Sequence, residues 1–96
     1  MPAYIIALVN ITNPEKYQEY AKRAGAANAK HGSRFLVRGG KKTALEGDIP
    51  FQRIVVSEFP DVEAAKKFYN SPEYQEARKH RAGAAEFNMV IVEGAN

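Results

Sequence analysis

The chain has 96 residues, 45% hydrophobic and 26% charged, with a formal net charge of +3. That length makes one domain burying about 60 to 70% of its unfolded surface, so stability rests on close packing or on oligomerisation. With no cysteine, thiolate nucleophiles, disulfide exchange, iron–sulfur clusters and Cys-type zinc sites are excluded, and the composition fits a reducing compartment.

The segment Met1-Pro-Ala-Tyr-Ile-Ile-Ala-Leu-Val has no basic start, and its apolar run stops at Asn10, too short for a signal peptide. No run is long enough to span a bilayer, so a soluble, cytoplasmic protein is expected. Residues 3–9 are apolar on both alternations, Tyr4, Ile6 and Leu8 against Ile5, Ala7 and Val9, and such a strand needs cover on both sides. Asn13-Pro14-Glu15 reads as N-cap, first-position proline and first-turn acid of a helix running to about Lys30. Its inward stripe is Tyr17, Tyr20, Ala21, Ala24 and Asn28, and His31-Gly32 ends it.

The second strand starts near Arg34, with a bulge or bend expected at Gly39-Gly40 and residues 42–46 as its continuation. Gly47-Asp48-Ile49-Pro50 turns the chain into a third strand over residues 51–59. Pro60-Asp61 caps a second helix with the stripe Val62, Ala65, Phe68 and Tyr69. Asn70-Ser71-Pro72-Glu73 stops that helix and starts another, on which Tyr74, Ala77 and Arg81 share a face and which Gly83 closes. Residues 86–93 make a fourth strand, apolar on both faces, and Gly94-Ala95-Asn96 is a tail.

The order β-α-β-β-α-β predicts a ferredoxin-like α+β sandwich, a single domain over residues 1–96, with a four-stranded antiparallel sheet and strands one and three central. Helices then cover one sheet face only. Because both alternations of the strands are largely apolar, a second copy's sheet is expected on the other face, giving a homodimer.

Ala3-Tyr-Ile-Ile, Phe35-Leu-Val-Arg-Gly-Gly, Leu45-Glu-Gly-Asp, Val56-Ser-Glu-Phe-Pro and Phe68-Tyr-Asn-Ser-Pro-Glu-Tyr follow one another over nearly the whole chain. Together they resemble the small bacterial family called domain of unknown function 1330. The resemblance implies a dimeric α/β barrel, an arrangement shared with antibiotic-biosynthesis monooxygenases, muconolactone isomerases and some haem enzymes. It implies no reaction, since a shared fold does not carry shared chemistry.

Arg38 and Glu58 interrupt apolar strands, and a hairpin bulged at Gly39-Gly40 sets them opposite one another. As a functional pair, Arg38 holds an anionic group and Glu58 moves a proton; as a structural pair, they fix strand register. His31 is a further candidate catalytic group, and Ser57, Tyr69 and Tyr74 candidate substrate contacts, the tyrosines equally readable as core rings with a wet tip. Glu76 and His80 stand four apart, but two ligands make no metal site, so they read as an exposed helix pair. Arg78-Lys-His-Arg81, Lys66-Lys67 and Lys41-Lys42 read as solvated basic faces, because the aromatic sheet signature of an RNA-recognition module is missing. An acylphosphatase-like phosphate loop is missing after strand one as well.

Two functions stay open. In one, favoured by a narrow margin, a cavity between sheet and helices binds and converts a small organic acid or aromatic metabolite without cofactor or metal, in the manner of a cofactor-independent monooxygenase or isomerase. In the other, the protein is a non-catalytic metabolite-binding, structural or stress-associated module. Neither involves nucleic acid or a membrane.

Overall fold

The computed structural model describes residues 1–95; Asn96, the last residue of the expected tail, lies outside the described residues. The chain runs β1 (Ala3–Ile11), α1 (Pro14–Lys30), β2 (Arg34–Arg38), β3 (Arg53–Phe59), α2 (Val62–Tyr69), α3 (Pro72–Lys79) and β4 (Ala85–Glu93). The strands form one antiparallel sheet in the order β2-β3-β1-β4. The two central strands, β1 and β3, are those that right-handed crossovers place there.

Each helix starts where a side-chain oxygen takes an orphan backbone N–H. Asn13 Oδ1 accepts from Lys16 N at 3.1 Å and Asp61 Oδ1 from Ala64 N at 2.7 Å. Ser71 accepts from Tyr74 N at 3.2 Å while donating its hydroxyl to the Phe68 carbonyl at 2.7 Å, so one residue ends α2 and opens α3. Losing such a cap costs about 1 kcal/mol.

The inner face of the sheet carries Ala3, Ile5, Ala7 and Val9 of β1, all buried, against Tyr17, Tyr20, Ala24 and Ala27 of α1 and Ala65, Phe68, Tyr74 and Ala77 of α2 and α3. Val9, Phe59, Phe68 and Tyr74 are the largest side chains closed off completely. Each contributes about 1.5–3 kcal/mol over an exposed position. Val62, Tyr69 and Ala21 of the expected stripes are only half-buried, and Arg81 follows α3 in a turn. The outer face shows Tyr4, Ile6, Leu8, Ile54 and Val56, flanked by Val37 on β2 and by Val90 and Val92 on β4, the last two 53% and 42% exposed.

The hairpin departs from expectation. β2 stops at Arg38, and residues 41–50 form an exposed loop in which 42–46 are not a strand. Asn10 pins the end of that loop, donating Nδ2 to the Pro50 carbonyl at 2.9 Å and accepting from Gln52 N at 2.8 Å, and β3 begins at Arg53. The bulge lies at Leu36, between the pairs Phe35↔Ser57 and Val37↔Val56, and not at Gly39-Gly40. Gly39 closes the ladder instead: its φ of +74° suits glycine, and its N–H donates to the Ile54 carbonyl at 3.0 Å.

Candidate functional site

A bulge changes which face a strand's residues occupy. Phe35 and Arg38 are three apart, so a regular strand would point them to opposite faces. With Leu36 as the extra residue, both point inward, Phe35 paired with Ser57 and Arg38 with Val55. The Arg38 guanidinium lies 4.2 Å from the Phe35 ring centroid. It crosses to α1 at Gly25, where a β-carbon would stand 3.0 Å from Arg38 Nη2.

Behind Arg38 one row of paired residues crosses the whole sheet: Arg38, Val55, Ala7 and Met89. Ala7 is the small member of that row, and Ala21 and Ala24 are the small members of the helix stripe above it. Short side chains on both sides leave a gap, a cavity of about 60 Å³ lined also by Tyr17, Tyr20, Asn28, Phe35, Arg53, Ser57, Phe68, Tyr74 and Phe87. A single water needs about 10–15 Å³, so the space holds several waters.

Arg38, exposed, and Arg53, half-buried, stand at the β2 side of the cavity. Among the described residues no lining side chain is acidic. Arg53 passes beneath Gly39, where a β-carbon would overlap its guanidinium, and its Nε is buried without a hydrogen-bond partner among the described residues. Burial pushes the Tyr17 phenol above its ordinary pKa, opposed by the positive charges of Arg53, Arg81 and Arg38.

The inner end is built from α1, α3 and β4. Tyr20 and Tyr74 are 6% and 1% exposed, and their hydroxyls meet at 2.8 Å. Arg81 Nη1 donates to the Tyr74 hydroxyl at 2.9 Å, with its guanidinium 4.0 Å above Phe87. Desolvation raises the pKa of both phenols, most strongly for Tyr20, where the neighbouring Tyr74 adds to the effect.

Three of the candidate residues thus reach the cavity: Arg38, Ser57 and Tyr74. The expected Arg38–Glu58 pair does not form. Glu58 is on the outer face, opposite Arg34 and Tyr4, accepting from Arg34 Nε at 2.9 Å and from the Tyr4 hydroxyl at 3.4 Å. The sheet separates it from Arg38, so it is not placed to act as a base on a ligand held there. His31 is also outside the lining. Its ring joins the end of α1 to the start of α3 through Glu73, Nε2 to Oε1 at 3.0 Å, and packs edge-on against Phe68. Tyr69 packs against Tyr74 from outside the cavity, its ring tilted by 41°, under Arg78. Glu76 pairs with Lys79 at 3.0 Å, and His80 is the C-cap of α3.

Reading the sequence missed Tyr17, Tyr20, Arg53 and Arg81 as site residues. Arg53 had a legible signal, since it shares its alternation with Val55 and the inward Phe59. Among the described residues no helix is long and apolar enough to cross a membrane.

Comparison with known proteins adds the family and supports the fold. A protein of unknown function from Rhodopseudomonas palustris superposes with a TM-score of 0.78 at 23% identity, over 99% of this chain and 83% of the other. A dimeric ferredoxin-like protein of unknown function from Jannaschia sp. CCS1 gives a TM-score of 0.73 at 10% identity, over 98% and 100%. SnoaB, a cofactor-independent oxygenase from Streptomyces nogalater, gives 0.64 at 10% identity, over 99% and 94%. At these identities the likeness is one of fold. No curated protein matches the chain. The model of the domain of unknown function DUF1330 matches residues 2–95, and the chain therefore belongs to that family.

Proposed function

We propose that this protein is a homodimer joined through its outer sheet faces, and that the cavity under α1 binds a small organic acid with a flat, aromatic body. The observation that carries the binding site is the pair of guanidiniums, Arg38 and Arg53, facing a largely apolar cavity whose lining has, among the described residues, no acidic side chain. An uncompensated pair of fixed cations favours an anion, and guanidinium forks suit a carboxylate. The aromatic and alanine walls suit a ring. The dimer is supported by the apolar outer face, which would otherwise meet water, and by the dimeric state of the Jannaschia relative in fold.

Binding without turnover is the reading we favour over conversion. Among the described residues the lining has no carboxylate or histidine to carry a proton, and its phenols are held protonated. SnoaB shares the fold, and this carries no reaction across.

Calorimetric titration with benzoate and its neutral isostere benzamide tests the reading. Charge-assisted hydrogen bonds contribute about 1.5–3 kcal/mol, so benzoate should bind at least about tenfold more tightly, and Arg38→Met with Arg53→Met should remove the difference. Equal affinity for acid and amide in the wild type would refute the anion site.

A further inference from the structure

A buried benzene ring is held by a cavity of about 150 Å³. The space under α1 is about 60 Å³, so a ring enters it only if a wall gives way. A second space of about 200 Å³ lies at the β4 border of the sheet, lined by Ile5, Tyr69, Met89, Val90 and Ile91. Ile5 and Met89 line both spaces and stand between them. Ile5 is fixed, being 4% exposed, β-branched and on a strand paired along both sides. Met89 is half-buried on an edge strand, and its unbranched side chain has three rotatable bonds. Two weak contacts hold its sulfur, from the Tyr74 hydroxyl at 3.4 Å and Arg81 Nη1 at 3.5 Å. If the sulfur leaves, the Tyr74 hydroxyl keeps Tyr20 as a partner, and Arg81 keeps its bond to Tyr74.

We infer that Met89 is a movable partition that sets ligand length, and that the site takes an aromatic carboxylate whose apolar body continues for about a second ring past Met89 into the β4 groove. This deepens the anion-site reading and rests on it.

The layout supports an extended ligand. Arg38 and Met89 end the same row of the sheet, with β3 and β1 between them, about 14 Å from backbone to backbone at ordinary strand spacing. Less the length of the Arg38 side chain, that leaves about one ring between guanidinium and thioether, and the groove receives what lies beyond. Its walls suit an uncharged extension: three aliphatic side chains, the Met89 thioether and Tyr69, which is outside the inner cavity but lines this second space. Val90, 53% exposed, marks the mouth of the groove at the β4 edge, so an acid entering there passes Met89 on its way to Arg38 and Arg53.

The test uses the full chain and two acids, benzoate and biphenyl-4-carboxylate. By calorimetry the wild type should bind the biphenyl acid about tenfold more tightly, the gain expected from partly burying a second ring. Stopped-flow tyrosine fluorescence reads the partition itself. Met89→Ala removes the wall and should speed benzoate association severalfold. Met89→Ile keeps a wall of similar bulk but stiffens it, in a residue that suits a strand, and should slow association severalfold. Association rates that stay at the wild-type value in both variants would show a wall that never moves and overturn the inference. Equal wild-type affinities for the two acids, with benzoate still preferred to benzamide, would overturn it as well and leave the anion site standing. Equal affinity for benzoate and benzamide would remove the anion site, and this inference with it.

Discussion

Raising the pH tests the buried phenols directly. Tyr20 and Tyr74 have folded pKa values above the ordinary 10.0, first because burial disfavours phenolate. In the unfolded chain both ionise near the ordinary value. The native state therefore holds two protons that the unfolded state gives up, and their contribution to stability is complete below pH 10 and lost as pH rises beyond it. Each such proton lowers stability by about 1.36 kcal/mol per pH unit, so the pair gives about 2.7 kcal/mol per unit. While both phenols stay protonated, that slope takes a substantial share of the about 5–15 kcal/mol a domain has in hand. Arg81 opposes the shift at both phenols, Tyr17 reinforces it at Tyr20 and Tyr69 at Tyr74, and Tyr17, raised but opposed by Arg53, Arg81 and Arg38, can add to the slope. Urea melts at a series of pH values, read by circular dichroism beside tyrosinate absorbance, should show this fall beginning near pH 10. Part of the tyrosinate signal should appear only as structure is lost, and Tyr20→Phe should lower the slope by about 1.4 kcal/mol per unit. Stability that stays flat above pH 10, or complete phenol ionisation in a chain still folded, would refute the reasoning.

The other expectations concern the faces and joints around the cavity. Val56→Lys, set between Ile6 and Val37 on the outer face, should turn a dimer into a monomer in sedimentation at micromolar concentration; a monomeric wild type would remove the sheet-to-sheet assembly. Gly39→Ala is strained at φ +74° and would drive its β-carbon into the Arg53 guanidinium. It should cost about 1–2 kcal/mol, a melting shift of several degrees for a chain this size, and weaken benzoate binding as Arg53→Met does; an unchanged benzoate affinity would separate Arg53 from the site. Glu73 has a pKa below its ordinary 4.5, first through its hydrogen bond with His31 and then through Lys30. Its contribution is present above pH 4.5 and lost as pH falls through the lower folded value, so Glu73→Gln should flatten the acid limb of stability measured by urea melts, and an acid limb identical to wild type would show the pairing to be idle.

The sheet order, the two central strands and all three helix starts were legible because their signals are local: side-chain caps, prolines at first helical positions and strand-length apolar runs. The hairpin was not. Gly39-Gly40 advertises irregular backbone, whereas Leu36 sits in an apolar run with nothing to mark it as the extra residue. In an unbulged ladder continuing from Arg34↔Glu58, Arg38 would face Ile54 on the outer side, so its place in the cavity depends on a feature without a composition signal. Residues 42–46 mislead in the opposite way, since Leu45 looks like a strand residue and is 93% exposed. The phenol pair was out of reach for another reason. Tyr20 and Tyr74 are 54 positions apart, and each alone reads as an ordinary core ring.

The two borders of the sheet are unlike, and this limits how copies can join by strand addition. β2 is five residues long, kinked at Leu36 and followed directly by a glycine in the left-handed region, so it makes a poor template for a further strand. β4 is nine residues long and regularly paired along its inner side. Edge-to-edge joining therefore favours β4 against β4, which spends the receptive border of both partners at once. A union of that kind closes on itself around a two-fold axis and has no second receptive end from which a fibre could grow.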